Sequence, residues 1–133
     1  MTRARRGRWT SAVFIAFAGN CRQALFYYQQ CFGGTLRIET VDLGVLGSGE
    51  KPVLTGTLVA DTIVISGSDL VHTEGRTVGN HMAIFYDCGN RVQRRQLVEM
   101  LGCHPRYRQA TDLDQPLIEV VDPFDVRWIL AAY

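Results

Sequence analysis

A strand, a Gly-Asn break, a helix and a stop glycine occur twice in this chain at nearly equal intervals, and that repetition constrains the fold more than any single residue does. In the first half, Trp9 to Phe17 predicts a strand on the β-branched and aromatic weight of Val13, Phe14, Ile15 and Phe17. Gly19-Asn20 breaks it. Asn20 is placed to cap a helix, with Gln23 able to reach back to the cap, and Cys21, Ala24, Leu25, Tyr28 and Phe32 recur at helical spacing. Gly33-Gly34 ends the helix, because glycine accepts the left-handed conformation of a C-cap. In the second half, His81 to Tyr86 predicts a strand, Gly89-Asn90 the break, Arg91 to Leu101 a helix with Leu97, Val98 and Leu101 as its apolar stripe, and Gly102 the stop.

The rest of each half reads as strands. Thr35 to Val41 alternates Leu36 and Ile38 with Arg37 and Glu39, the pattern of a half-buried strand. Val53 to Val59 and Thr62 to Ser66 predict a hairpin turning near Ala60-Asp61 and ending at "GSD". Pro105 to Gln109, Leu117 to Val121 and Val126 to Leu130 predict the remaining strands, the last two joined by "DPFD" with proline at the second turn position. The parsing is a basic tail at 1–8, a first β-α-β-β-β module at 9–69, a linker at 70–80 and a second module at 81–133. Neither module buries its sheet well alone, so the pair is expected to form curved mixed sheets around a cleft, an α+β architecture. Ligand sites favour such concave surfaces.

Composition narrows the partners. With 133 residues and 47% apolar content the chain is large enough for a true core. Lys+Arg 14 against Asp+Glu 13 gives no global pull toward nucleic acid or a membrane surface. Arg3, Arg5, Arg6 and Arg8 crowd the start, but no aromatic interleaving or second basic patch accompanies them, so they read as a solvated terminus. Cys21, Cys31, Cys88 and Cys103 form no CxxC pair or finger-like spacing with histidine. No secretory leader or membrane span is apparent, and with these cysteines that favours a cytoplasmic setting.

The stretches "FIAFAGNCRQALFYYQQCFGG", "ISGSD" at 65–69, "GN" at 79–80 and "DPFDVRWIL" at 122–130 span nearly the whole chain in order, and with them the sequence resembles the vicinal-oxygen-chelate superfamily of glyoxalases, bleomycin-resistance proteins and extradiol dioxygenases, with the PhnB-like branch as the nearest look. The resemblance implies the glyoxalase/bleomycin-resistance-like fold, a homodimer and, in metal-dependent members, a divalent ion held by one side chain from each of four strands. Those slots fall near Val13, Thr55, His81 and Ile129, and of these only His81 keeps a metal-binding side chain. One imidazole does not hold an ion that needs three or four protein ligands. The branch often carries histidine on its third strand, where this chain has Thr55-Gly56, and "DPFG" in its last turn, where Asp125 replaces glycine. Some PhnB-like sequences have carried a ubiquinone-methyltransferase label, yet no strand here runs into the glycine-rich turn that cradles a nucleotide cofactor.

His81 is the sharpest candidate as ligand, general base or hydrogen-bond partner, set against the commoner role of a loop-packing histidine. Glu119, on a strand among apolar neighbours, is either paired with a nearby arginine or chemically useful. Thr55, Asp69, His81, Tyr107 and Trp128 are the expected ligand-cleft residues, whereas periodicity puts Tyr28 and Phe14 in the core. A cluster of Asp69, His72, Glu74 and His81 would use an irregular linker, so its ligands would not be preorganised. "GVLGSGE" is followed by Pro52 and not by a helix, which argues for a rim loop over a phosphate loop. Cys21 stands at a helix start that favours a thiolate, but its place on the apolar stripe favours burial.

The expected function is metal-free binding of an unknown small molecule of aromatic or apolar character, with no cofactor, no nucleic acid and no membrane partner. A divalent metal stays open, and with it the alternative of a metal-dependent lyase, isomerase or dioxygenase acting on adjacent oxygens. A catalytically degenerate dimerisation module is the third reading.

Overall fold

The computed structural model describes residues 11–41, 51–70, 77–106 and 113–133. The chain divides into two compact units, residues 1–76 and 77–133, and each is described by itself.

The first unit starts with β1 (Val13–Ala16), breaks at Gly19-Asn20 and enters α1 (Cys21–Phe32), followed by β2 (Thr35–Thr40), β3 (Val53–Val59) and β4 (Val64–Ser68). Its sheet runs β1-β4-β3-β2, with β1 parallel to β4 and the other pairs antiparallel. The parallel β1–β4 pair needs a crossover, and the intervening chain with α1 supplies it. Cys21, Ala24, Leu25 and Tyr28 form the buried stripe of α1, as the periodicity predicts.

Two glycines let α1 sit close to the sheet. Gly56 and Gly67 are register partners on β3 and β4. A β-carbon on Gly56 would run into Leu25 Cδ1, and one on Gly67 would stand 2.9 Å from the Phe17 ring and 3.1 Å from Cys21 Sγ. Leu58 and Ile65, paired in the same sheet and fully buried, lie on this helix-covered face. Burying a side chain of that size contributes about 1.5–3 kcal/mol.

The start of α1 differs from the sequence expectation. Asn20 makes no side-chain cap, and the N–H groups of Gly19 and Cys21 are instead taken by Asp69 Oδ1 at 2.9 and 3.0 Å. Asp69 Oδ2 accepts from Val53 N at 3.1 Å, so one carboxylate ties the helix entry, the start of β3 and the end of β4 together. A charged acceptor shared by three backbone donors outcompetes a neutral amide cap.

The second unit repeats the plan with β5 (Ile84–Asp87), α2 (Arg91–Leu101), β6 (Leu117–Val121) and β7 (Arg127–Ala131), in a sheet ordered β5-β7-β6. Here the asparagine does cap: Asn90 Oδ1 accepts from Gln93 N at 2.8 Å. The strand predicted at 81–86 begins only at Ile84, which leaves His81 before it. Of the strand predicted at 105–109, Pro105-Arg106 form a turn, and 107–109 lie outside the described residues. A counterpart of β2 is therefore absent among the described residues of this unit.

Arg94 occupies the apolar stripe of α2 and is 2% exposed. Its guanidinium donates to the carbonyl oxygens of Leu113 at 2.6 Å, Pro116 at 3.0 Å and Leu130 at 3.3 Å, which compensates the buried charge and pins α2 to β7 and to the chain entering β6. At the "DPFD" turn, Asp125 N donates to Asp122 O at 3.0 Å, closing the turn over Pro123. Asp122 Oδ1 accepts from Phe124 and Val126 N, and its Oδ2 from Trp128 Nε1 at 2.9 Å.

Candidate functional site

Alternation along the strands gives each sheet two chemically different faces. In the first unit, Val13, Ile15, Gly56, Leu58, Ile65 and Gly67 share the face under α1. The opposite face carries one row in register from edge to edge: Phe14 on β1 pairs Ser66 on β4, Ser66 pairs Thr57 on β3, and Thr57 pairs Arg37 on β2. Thr57 Oγ1 and Ser66 Oγ are 3.1 Å apart and hydrogen-bonded. Phe14 is 54% exposed, contrary to the core position that periodicity suggested; its neighbours Val13 and Ile15 turn toward α1, and alternation puts Phe14 outside. Thr55 lies on the same open face, half-buried and opposite Glu39. Asp69 follows β4 with its carboxylate engaged by the three backbone N–H groups described above.

In the second unit the equivalent row is Phe85, Ile129 and Glu119, and Phe85 is 59% exposed. Glu119 Oε2 accepts from Arg127 Nη1 at 2.6 Å, an arginine pair of the kind the sequence allows. Trp128 projects from the opposite face to Glu119 and Ile129, shared with Val120, and is fully buried with its indole N–H on Asp122. His81 is exposed and precedes β5. Tyr107, Trp9, His72, Glu74, the arginines of 1–8 and the "GVLGSGE" segment lie outside the described residues.

Among the described residues, the positions that the resemblance assigns to metal ligands do not offer a divalent-ion donor set. Val13 and Ile129 offer no donor, Thr55 offers a neutral hydroxyl, and no three His, Cys, Asp or Glu side chains come together among the described residues. Cys21 is fully buried, and burial together with the nearby Asp69 carboxylate pushes its thiol from 9.0 up to about 12, so the helix start does not yield a thiolate. The Cys88 thiol is likewise raised by burial. The small pocket beside α2 is lined by Arg91, Arg94, Arg95, Asp114 and Ile118 among others, and there Arg94 is held by three carbonyls and Arg91 pairs with Asp114 of the same lining.

Several of these features had only weak signals in the sequence. Arg94 falls on an apolar helical stripe, which marks a buried cation needing acceptors. Asp122 opens a Pro-containing turn, where aspartate accepts from backbone N–H groups. The row of Thr57, Ser66 and Arg37 depends on which residues of three strands stand side by side, and no local sequence signal sets that register.

Comparisons with known proteins agree with this architecture. No family model matches the sequence, and no curated protein does. Among solved structures, a PhnB protein of Bacillus cereus carrying a 3-demethylubiquinone-9 3-methyltransferase label aligns with 17% identity and a TM-score of 0.71, over 94% of this chain and 100% of that one. A Pseudomonas aeruginosa protein aligns with 20% identity and a TM-score of 0.70, over 93% and 97% of the two chains. The fosfomycin resistance protein FosX of Listeria monocytogenes, solved with Mn(II) and sulfate, aligns with 13% identity and a TM-score of 0.51, over 94% and 92%. At these identities the likeness is one of fold. This chain has the glyoxalase/bleomycin-resistance-like fold that PhnB-like proteins and FosX share within the vicinal-oxygen-chelate superfamily.

Proposed function

We propose that this chain is a small-molecule binding protein that works without a resident metal, its ligand seated on the face of the first sheet turned away from α1. The observation that carries the reading is the composition of that face: an exposed aromatic ring, two hydroxyls and an arginine in one row, where metal-dependent relatives of this fold would need carboxylates and imidazoles. Phe14 offers stacking surface, and Thr57, Ser66 and Thr55 offer hydrogen bonds that orient a ligand without reacting with it. Pairing into a homodimer belongs to the same reading.

The test is a thermal-shift screen of chelator-treated protein against small aromatic and apolar compounds, repeated with nickel, zinc, iron or manganese added. Compounds that raise the melting temperature equally with and without metal are the expected result. A shift that appears only with metal, or turnover of the compound, would favour the metal-dependent enzyme. The oligomeric state is checked by light scattering on the eluted protein.

A further inference from the structure

We infer that the ligand of this face is an organic anion with a planar or apolar body, an aryl carboxylate or aryl phosphonate, whose charged group meets Arg37 and the Thr57–Ser66 hydroxyls while its ring lies toward Phe14. The inference rests on the proposed binding function and adds the chemical class. Its basis is the register row Phe14–Ser66–Thr57–Arg37, in which chemistry changes in one direction across the sheet, from exposed ring through paired hydroxyls to cation. Three strand spacings separate its ends, about 14 Å.

The Arg37 side chain is exposed and makes no hydrogen bond or ion pair with any described residue, which leaves its donor fork available for a bidentate anion. In the Thr57–Ser66 pair one hydroxyl donates to the other, so the acceptor keeps its own proton to give outward, and an anion is the strongest taker. Glu39 stands on the same face two residues from Arg37, opposite Thr55. Its negative charge limits the anion to the Arg37–Thr57 row and disfavours a second anionic group further along β2. Charges on β2 also guard an exposed sheet edge. That role alone requires neither the paired hydroxyls nor the exposed ring at the far end of the row.

The experiment is calorimetric titration of chelator-treated protein with phenylacetate, phenylphosphonate and the neutral analogue phenylacetamide, for wild type, Arg37→Gln, Arg37→Lys, Thr57→Val, Phe14→Ala and, as a control for loss of any exposed arginine, Arg95→Gln on α2. All are checked for native circular dichroism. The expected result is at least tenfold preference for an anion over the amide, lost in Arg37→Gln, partly kept in Arg37→Lys, reduced in Thr57→Val and unchanged in Arg95→Gln, with Phe14→Ala weakening all probes alike. The better of the two anions distinguishes carboxylate from phosphonate recognition. A preference that survives Arg37→Gln, or wild type that binds only the neutral probe, overturns this inference and leaves the binding function standing. Wild type that binds none of these probes overturns the inference, and the function falls with it only if the wider screen is also empty.

Discussion

Asp69 shows how one carboxylate can replace the cap that local sequence suggests. Its two oxygens take the N–H groups of Gly19, Cys21 and Val53, so Asp69→Ala strands three backbone donors at the junction of α1, β3 and β4. The expected loss is about 2–3 kcal/mol, measured by urea denaturation. Cys21 beside it gives a pH prediction with a definite sign. The folded thiol keeps its proton up to about pH 12, whereas the unfolded one loses it near 9.0. The contribution is full below pH 9 and declines as pH rises through that window, because the unfolded state there binds fewer protons. Denaturation midpoints at about pH 8 and about pH 10.5 are expected to fall more for wild type than for Cys21→Ala. Asp125 has a φ of 68°, and its Oδ1 is buried without a partner, while Oδ2 makes a 3.3 Å contact with Arg106. Asp125→Gly is expected to raise stability by about 1 kcal/mol in thermal melts, the relief of the left-handed backbone and of the unpartnered Oδ1 exceeding the loss of an ion pair whose arginine is exposed. Asp69 was singled out in the sequence for a ligand cleft, and nothing local distinguishes a cleft aspartate from one that bonds residues almost fifty positions away.

Helices and strands were legible where local signals are strong. Gly-Asn before each helix and glycine after it mark α1 and α2 as found, and the runs Val53–Val59 and Leu117–Val121, rich in apolar and β-branched residues, give β3 and β6 at their observed limits. β5 starts later than the apolar pattern suggests, because Met82 and Ala83 extend that pattern without pairing in the sheet. What the sequence hid is the closeness of α1 to its sheet. Gly56→Ala puts a methyl group against Leu25, and the expected cost is about 1–3 kcal/mol, partly recovered when Leu25→Val is added. A double-mutant cycle in urea checks the coupling; purely additive effects would mean the two residues do not clash. Arg94→Lys loses the planar fork that reaches three carbonyls, and a fall of about 1–3 kcal/mol is expected in the same assay.

For the molecule as a whole, the strand–break–helix–stop pattern read from the sequence occurs in both halves as β1–α1 and β5–α2, since each break is enforced by residues that locally disfavour continuing the strand. The candidate site was less legible, because its row joins residues on four strands and only register brings them side by side. The central claim is that such a face binds a small molecule without an ion, and metal content measures it most directly. Untagged wild type and His81→Ala are incubated with nickel, zinc, iron and manganese, desalted and analysed by elemental mass spectrometry. The account expects far less than one retained ion per chain in both proteins. A near-stoichiometric ion in wild type that is lost in His81→Ala would contradict it and place this chain among the metal-dependent enzymes of its fold.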